Sequence, residues 1–215
     1  MPLAGRPMIE WSIDAFRACD SVRSIVVAAP PGYVHELAGH DLGVVEGGAT
    51  RAESVANGLA AVGTGLVAIH DAARPLLRPE LVEALLADLD ASPEAAGVIA
   101  AAPVTDTIKR AAEAPGATRP ALTTYNGANA GLVVAETVDR GQLWAAQTPQ
   151  IFRTEALRAA LGAAASPEAA TDEAMLIEAA GGAVLIHESG QANPQVPPPL
   201  ELRVAELLLA ERAGA

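Results

Sequence analysis

The feature that most constrains this chain is a recurring alternation: a short apolar run with no polar residue interleaved, then a segment of helical periodicity, then another apolar run. The strand candidates of this kind are Ser24-Ile25-Val26-Val27-Ala28-Ala29, Leu66-Val67-Ala68-Ile69-His70, 97–102 and 183–187. Around them, 8–19, 51–61, 79–88, 154–164, 172–180 and 200–212 carry apolar residues at the spacing of one helix face. A strand that is apolar on both sides is covered on both sides, and strands separated by helices run mostly parallel. The pattern therefore predicts an α/β fold with a mostly parallel sheet and helices on both faces. Two stretches break it: 111–136, rich in Ala, Thr, Gly and Asn, and 194–199, whose four prolines exclude regular helix and central strand.

A chain of 215 residues suits one domain, 1–215, with a core of its own. Cys19 is the only cysteine, which rules out an intramolecular disulfide, and no charged-then-apolar leader precedes the first helical segment, so the expected location is cytoplasmic. Every apolar run falls far short of the roughly 20 residues that cross a bilayer, and no membrane span is expected. The net charge of -12 argues against a nucleic-acid partner, because that affinity rests on clustered Lys and Arg. A few arginines converging in one cleft still suffice for a small phosphorylated substrate.

In such sheets the ligand crevice lies outside the carboxyl ends of the strands. One candidate there is Gly47-Gly48-Ala49-Thr50-Arg51-Ala52-Glu53-Ser54-Val55, a glycine turn opening a helix. Its N–H groups suit an anion or a base edge, and glycines admit a ligand close to the backbone. The plainer reading is a tight strand-to-helix turn with Thr50 as N-cap. A second candidate is His70-Asp71-Ala72-Ala73-Arg74-Pro75. Asp71 can hold Mg²⁺, which bridges phosphates through hard oxygen ligands, and Arg74 can fork onto a phosphate. The plainer reading has Asp71 capping the next turn and Arg74 paired with it. His70 reads as a hydrogen-bonded core residue with no catalytic role.

A third constellation joins Pro103-Val104-Thr105-Asp106-Thr107-Ile108-Lys109-Arg110 to Glu136-Thr137-Val138-Asp139-Arg140-Gly141-Gln142-Leu143-Trp144. Strand formers beside charges suit the two arms of a projecting ribbon, a β-arm over about 103–144, or else a solvated hairpin. A fourth comprises Gln147-Thr148-Pro149-Gln150-Ile151-Phe152 and Ala170-Thr171-Asp172-Glu173-Ala174, where Thr171 reads as a helix N-cap. Trp144 and Phe152 read as core or interface aromatics.

Taken in order, these segments, together with Pro2-Leu3-Ala4-Gly5-Arg6-Pro7-Met8 at the start, resemble the 2-C-methyl-D-erythritol 4-phosphate cytidylyltransferase family. The resemblance covers nearly the whole chain. It implies a Rossmann-like nucleotidyltransferase sheet that binds CTP and a β-arm that reaches over the partner in a homodimer. The implied reaction joins CTP and 2-C-methyl-D-erythritol 4-phosphate into 4-diphosphocytidyl-2-C-methyl-D-erythritol and pyrophosphate, in non-mevalonate isoprenoid precursor synthesis. On matching positions, Gly47, Gly48 and Ser54 lie around the cytidine, Asp71 holds the Mg²⁺ of the triphosphate, and Ala72 offers backbone contacts to the nucleotide. Arg74, Thr107, Arg140, Thr148 and Thr171 surround the sugar phosphate, with Thr107 and Arg140 delivered by the other subunit's arm. The nucleophile of that reaction is already an anionic phosphate oxygen, so the site needs positioning and charge neutralisation rather than a Ser-His-Asp or Cys-His set.

The chain departs from the family pattern in three places. The family begins with a strand and a glycine-rich loop carrying an arginine, followed by a lysine that stabilises the transition state. Residues 2–7 match the stretch just beyond that lysine, so this chain is expected to lack most of the activity, through either a misplaced start codon or a degenerate gene. Gln195 stands where the family resembles a lysine; in the implied catalytic set with Thr107 and Arg140 it brings hydrogen-bond donors and no charge. The stretch 111–136 is longer than the usual arm tip. Transfer to ribitol 5-phosphate and a catalytically impaired dimeric remnant remain the alternatives.

Overall fold

The computed structural model describes residues 2–37, 42–113, 132–190, 193, 195 and 200–213. In chain order the elements are β1 (Pro2–Leu3), β2 (Arg6–Pro7), α1 (Met8–Arg17), β3 (Val26–Ala29), α2 (Val34–Leu37), β4 (Gly43–Glu46), α3 (Arg51–Ala60), β5 (Leu66–Ile69) and α4 (Pro79–Asp90). They continue with β6 (Gly97–Pro103), β7 (Lys109–Glu113), β8 (Leu132–Thr137), β9 (Trp144–Arg153), α5 (Thr154–Ala163), α6 (Glu173–Ala179), β10 (Val184–Glu188) and α7 (Leu200–Ala213). The chain forms two compact units, residues 1–102 with 146–215, and residues 103–145.

The first unit is α/β. Its four-stranded sheet has the order β10-β6-β9-β5, with β10 parallel to β6 and β5 antiparallel to β9. The sheet is thus mixed, and β9 is the strand the apolar pattern leaves unread, because Gln147, Thr148, Pro149 and Gln150 interrupt it. β6 shows why the central runs carry no polar alternation: Val98 and Ala100 pack with α1 and α4, through Phe16, Val82 and Leu85, while Ile99 packs with α3, α5 and α6, through Leu59, Leu157 and Ile177. Both faces are covered, so a polar residue on either would be desolvated. A third cluster ties the N-terminal hairpin to α7 through Leu3, Met8, Leu76, Ala205 and Leu209.

A separate parallel pair, β3 with β4, leaves one edge of β3 unpaired among the described residues, as β5 leaves one of its own. Both strands border an apolar pocket of about 840 Å³ roofed by α1, α3 and α4. No helix among the described residues is long and apolar enough to cross a membrane.

The second unit is an antiparallel ribbon of β7 and β8 with a register shift between Arg110 and Ala111. Every residue of both strands is exposed, including Leu132, Val133 and Val134. The stretch read as irregular, 111–136, is strand at both of its ends. Its middle, 114–131, and most of the proline run, 194 and 196–199, lie outside the described residues.

Candidate active site

A pocket of about 250 Å³ opens beside the carboxyl end of β5 and is lined by Arg51, Asp71, Arg74, Thr148, Gln150 and Thr171, with Gln195 at its rim. Five places far apart in sequence meet there: the first turn of α3, the turn after β5, the middle of β9, the start of α6 and Gln195.

The turn after β5 is closed by the Arg74 N–H donating to the Asp71 carbonyl at 2.9 Å. Its shape is set from β9. The Asp71 N–H donates to Thr148 Oγ1 at 3.0 Å, Thr148 Oγ1 lies 3.1 Å from His70 Nδ1, and His70 Nε2 lies 3.1 Å from the Arg74 carbonyl. A carbonyl only accepts, so Nε2 carries the proton, Nδ1 accepts, and the single Thr148 hydroxyl proton points at Nδ1. Burial pushes the His70 pKa down to about 4, which keeps that imidazole neutral. His70 is a structural link in this turn, stacked edge-on against Phe16 at 5.5 Å.

Arg74 is the unusual group. It is 9% exposed, its Nη1 donates to the Asn193 carbonyl at 2.8 Å, and its Nε has no partner among the described residues. Burial lowers its pKa, with Asp71 opposing. Asp71 pairs instead with Arg51, at 3.5 Å, so the expected Asp71–Arg74 pairing is replaced by a longer-range one. A buried guanidinium whose one side-chain hydrogen bond among the described residues goes to a neutral carbonyl attracts an anion.

Arg51, in the first turn of α3, also ion-pairs with Glu173 at the start of α6. Glu173 is 1% exposed, and burial raises its pKa against the pull of Arg51. At the same end of α6 the N-cap is Asp172, whose Oδ1 accepts from the Met175 N–H at 3.0 Å. That corrects the reading of Thr171 as the cap: the neighbouring carboxylate is the stronger acceptor, and the Thr171 hydroxyl is left to line the pocket.

The glycine turn after β4 closes on itself. Thr50 caps α3 by accepting from the Glu53 N–H at 3.1 Å; Gly48 N–H donates to Ser54 Oγ at 3.0 Å, and Ala49 N–H to Glu53 Oε2 at 2.7 Å. A Cβ on Gly48 would lie 2.1 Å from Glu53 Cβ, so only glycine fits. Gly47 N–H is held by the Ala29 carbonyl at 2.8 Å. Those three N–H groups are thus occupied, and what the turn offers a ligand is close approach.

Asp71, Arg74, Thr148 and Thr171 come together around the pocket, and Ala72 with Ser54 and Asp71 borders the larger cavity beside it. Thr107 and Arg140 belong to the second unit, where both are exposed and Arg140 donates to the Thr105 carbonyl. Sequence reasoning gave no role to Arg51, Glu173 or Gln150. Arg51 already stood inside the glycine-turn motif, but its partner lies 122 residues away and no local spacing signals it.

The family model for 2-C-methyl-D-erythritol 4-phosphate cytidylyltransferase, IspD, matches residues 1–211. Proteins of that name from Synechococcus sp. (strain CC9902) and Ralstonia nicotianae are 37% and 40% identical to this chain, each over 99% of it and over 89% and 84% of their own lengths. The crystal structure of 2-C-methyl-D-erythritol 4-phosphate cytidylyltransferase from Thermus thermophilus is similar with a TM-score of 0.78 at 31% identity, covering 97% of this chain and 92% of that one. By sequence along nearly its whole length and by fold, the chain belongs to the 2-C-methyl-D-erythritol 4-phosphate cytidylyltransferase family of nucleotidyltransferases.

Proposed function

We propose that this pocket transfers a cytidylyl group from CTP to 2-C-methyl-D-erythritol 4-phosphate. The observation that carries the reading is the buried Arg74 guanidinium, without a carboxylate hydrogen-bond partner among the described residues, lining the same pocket as Asp71. An acceptor phosphate satisfies Arg74 and the Thr171 hydroxyl can donate to it, while Thr148, whose proton is given to His70, lines the site and holds the turn that carries Arg74. One acceptor phosphate oxygen attacks the α-phosphorus of CTP, the bond from that phosphorus to the β-phosphate bridging oxygen breaks, and pyrophosphate leaves with the electron pair. No proton needs to move, which fits a pocket whose neighbouring imidazole is held neutral.

Asp71 fits a Mg²⁺ ion held mainly by the triphosphate. Its carboxylate, one-third exposed at the pocket, is the hard oxygen ligand that would hold the ion beside the phosphates. Such an ion supplies charge neutralisation for the triphosphate. Gly47, Gly48, Ser54 and Ala72 form the nucleotide side in this reading. Thr107 and Arg140 act from the arm of a partner subunit, which makes the protein a homodimer, and Gln195 contributes a neutral donor near the acceptor phosphate. The chain works as one nucleotidyltransferase domain over 1–215 with an arm at about 103–144, in the cytoplasm.

The test is pyrophosphate release from CTP, Mg²⁺ and the acceptor, by this chain and by a form extended upstream with a glycine-rich segment. Release in either form, with methylerythritol phosphate preferred over ribitol 5-phosphate, supports the reading. Release in neither, or equal use of ribitol 5-phosphate, overturns it.

A further inference from the structure

The two ends of the Arg51 guanidinium are held unequally. Its Nη1 donates to Glu173 Oε1, and Glu173 is 1% exposed, so letting go there would strand a buried carboxylate. Its Nη2 reaches Asp71 Oδ1 at 3.5 Å. That is longer than the roughly 2.7–2.9 Å of a well-formed charge-assisted bond. Both members of this second pair are open to solvent, Arg51 over 37% of its side chain and Asp71 over 33%. The guanidinium is thus pinned at one nitrogen, loosely held at the other, and free to pivot on the Glu173 contact. Arg51 and Asp71 line both the pocket at the carboxyl end of β5 and the larger cavity beside it. A ligand entering either space meets the two side chains together. While they are paired, Asp71 is a poor site for a bare cation, because the guanidinium beside it repels that cation. A triphosphate carrying a divalent cation alters the balance on both sides: the carboxylate gains a stronger positive partner, and the guanidinium, now facing a like charge, gains a phosphate oxygen.

We propose that Arg51 exchanges partners on nucleotide binding: its Nη2 is the counter-ion of Asp71 in the unliganded protein and turns to a phosphate oxygen of the nucleoside triphosphate once Asp71 holds a divalent cation. Nη1 stays on Glu173 throughout. The inference rests on the reading of Asp71 and CTP above. Arg51 is on this account a substrate-binding residue, and Glu173 is the positioning residue that anchors its pivot. The exchange makes the site favour a cation that arrives with phosphates over a cation alone.

The experiment measures two affinities, Mn²⁺ alone by electron paramagnetic resonance and CTP with Mg²⁺ by calorimetry, in the native protein and in Arg51→Gln combined with Glu173→Gln. The second substitution keeps the first from stranding a buried charge. Asp71→Asn, added to each, identifies the Mn²⁺ bound at Asp71 as the part that it removes. The double variant is expected to bind that Mn²⁺ more tightly, on the order of 10-fold, because the competing guanidinium is gone. It is expected to bind CTP with Mg²⁺ more weakly, also on the order of 10-fold, because a charged donor to phosphate is lost. Should the double variant fail to fold, Arg51→Lys decides: its ammonium still pairs with Glu173 but has no second arm, and shifts of the same signs are expected. An arginine that merely held the fold would weaken both affinities when removed, and that result overturns the inference. So does an unchanged Mn²⁺ affinity, an unchanged CTP affinity, or a native protein that binds no CTP with Mg²⁺. Opposite shifts without pyrophosphate release would sink the transfer reading and keep this one; release with both affinities weakened does the reverse.

Discussion

His70 Nδ1 lies 3.1 Å from Thr148 Oγ1, and that contact fixes the protonation state of the ring. The Thr148 hydroxyl accepts from the Asp71 N–H and has one proton to give, so Nδ1 must accept it. A second proton on the ring would meet a hydroxyl already pointing at it, in a site where burial has brought the pKa to about 4. The folded-state value lies below the ordinary 6.5, so between those values the unfolded chain binds more protons than the folded one. The stability contributed is complete above about pH 6.5 and is lost as the pH falls toward about 4, with a slope of at most ~1.4 kcal/mol per pH unit. Urea titrations across that window should show this one-proton slope in the native protein and its absence in His70→Asn. Matching slopes in the two proteins would show that the imidazole is not held neutral.

The ion pair of Arg51 with Glu173 predicts a large asymmetry between breaking it and removing it. Glu173 is almost fully enclosed while Arg51 is 37% exposed, so deleting the arginine strands a buried carboxylate. Arg51→Gln is expected to cost about 3 kcal/mol, the low end for such pairs because water reaches one partner. Adding Glu173→Gln should recover much of that loss, since a neutral amide needs no counter-charge. Chemical denaturation of the two single variants and the double variant measures the coupling; additive losses would mean that the pair contributes nothing specific.

Phe152 occupies the space a side chain at position 97 would need. A Cβ on Gly97 would come within 2.2 Å of Phe152 Cδ1 and 2.9 Å of the Ile151 carbonyl oxygen, and the ring is fully buried in the cluster of Leu157 and Ile177. Gly97→Ala should therefore destabilise by about 1–3 kcal/mol, although alanine is the better residue for an ordinary strand. Combining it with Phe152→Leu should cost less than the sum of the two changes. Strict additivity in thermal unfolding would show that the ring moves aside freely.

Much of this arrangement was legible in the sequence where one segment carries its own signal. The runs around Val98-Ile99-Ala100 and Leu66-Val67-Ala68 announce strands covered on both faces, and Thr50 with Glu53 announces the start of α3. The legible part stops where partners are distant or chemically close rivals. β9 went unread because its central residues are polar, and they are polar because they build the pocket. Thr171 and Asp172 are both good caps, and only the Met175 N–H contact ranks them. Arg51 finds Glu173 at a separation of 122 residues, which no local spacing encodes.

Arg74 sets stability against function at one residue. Its guanidinium is buried beside a neutral carbonyl and has no ion pair among the described residues to offset its desolvation. Arg74→Met fills a similar volume, removes the charge and, among the described residues, loses the bond to the Asn193 carbonyl. Its unfolding free energy should fall within about 1 kcal/mol of the native protein or exceed it. The KM for the acceptor phosphate should rise on the order of 10- to 100-fold, the loss expected for a charge-assisted hydrogen bond, with the KM for CTP unchanged. Paired denaturation and steady-state measurements check both halves. A variant that loses several kcal/mol of stability would show that the guanidinium is a structural tie to Asn193, and an unchanged acceptor KM would show that no phosphate reaches it.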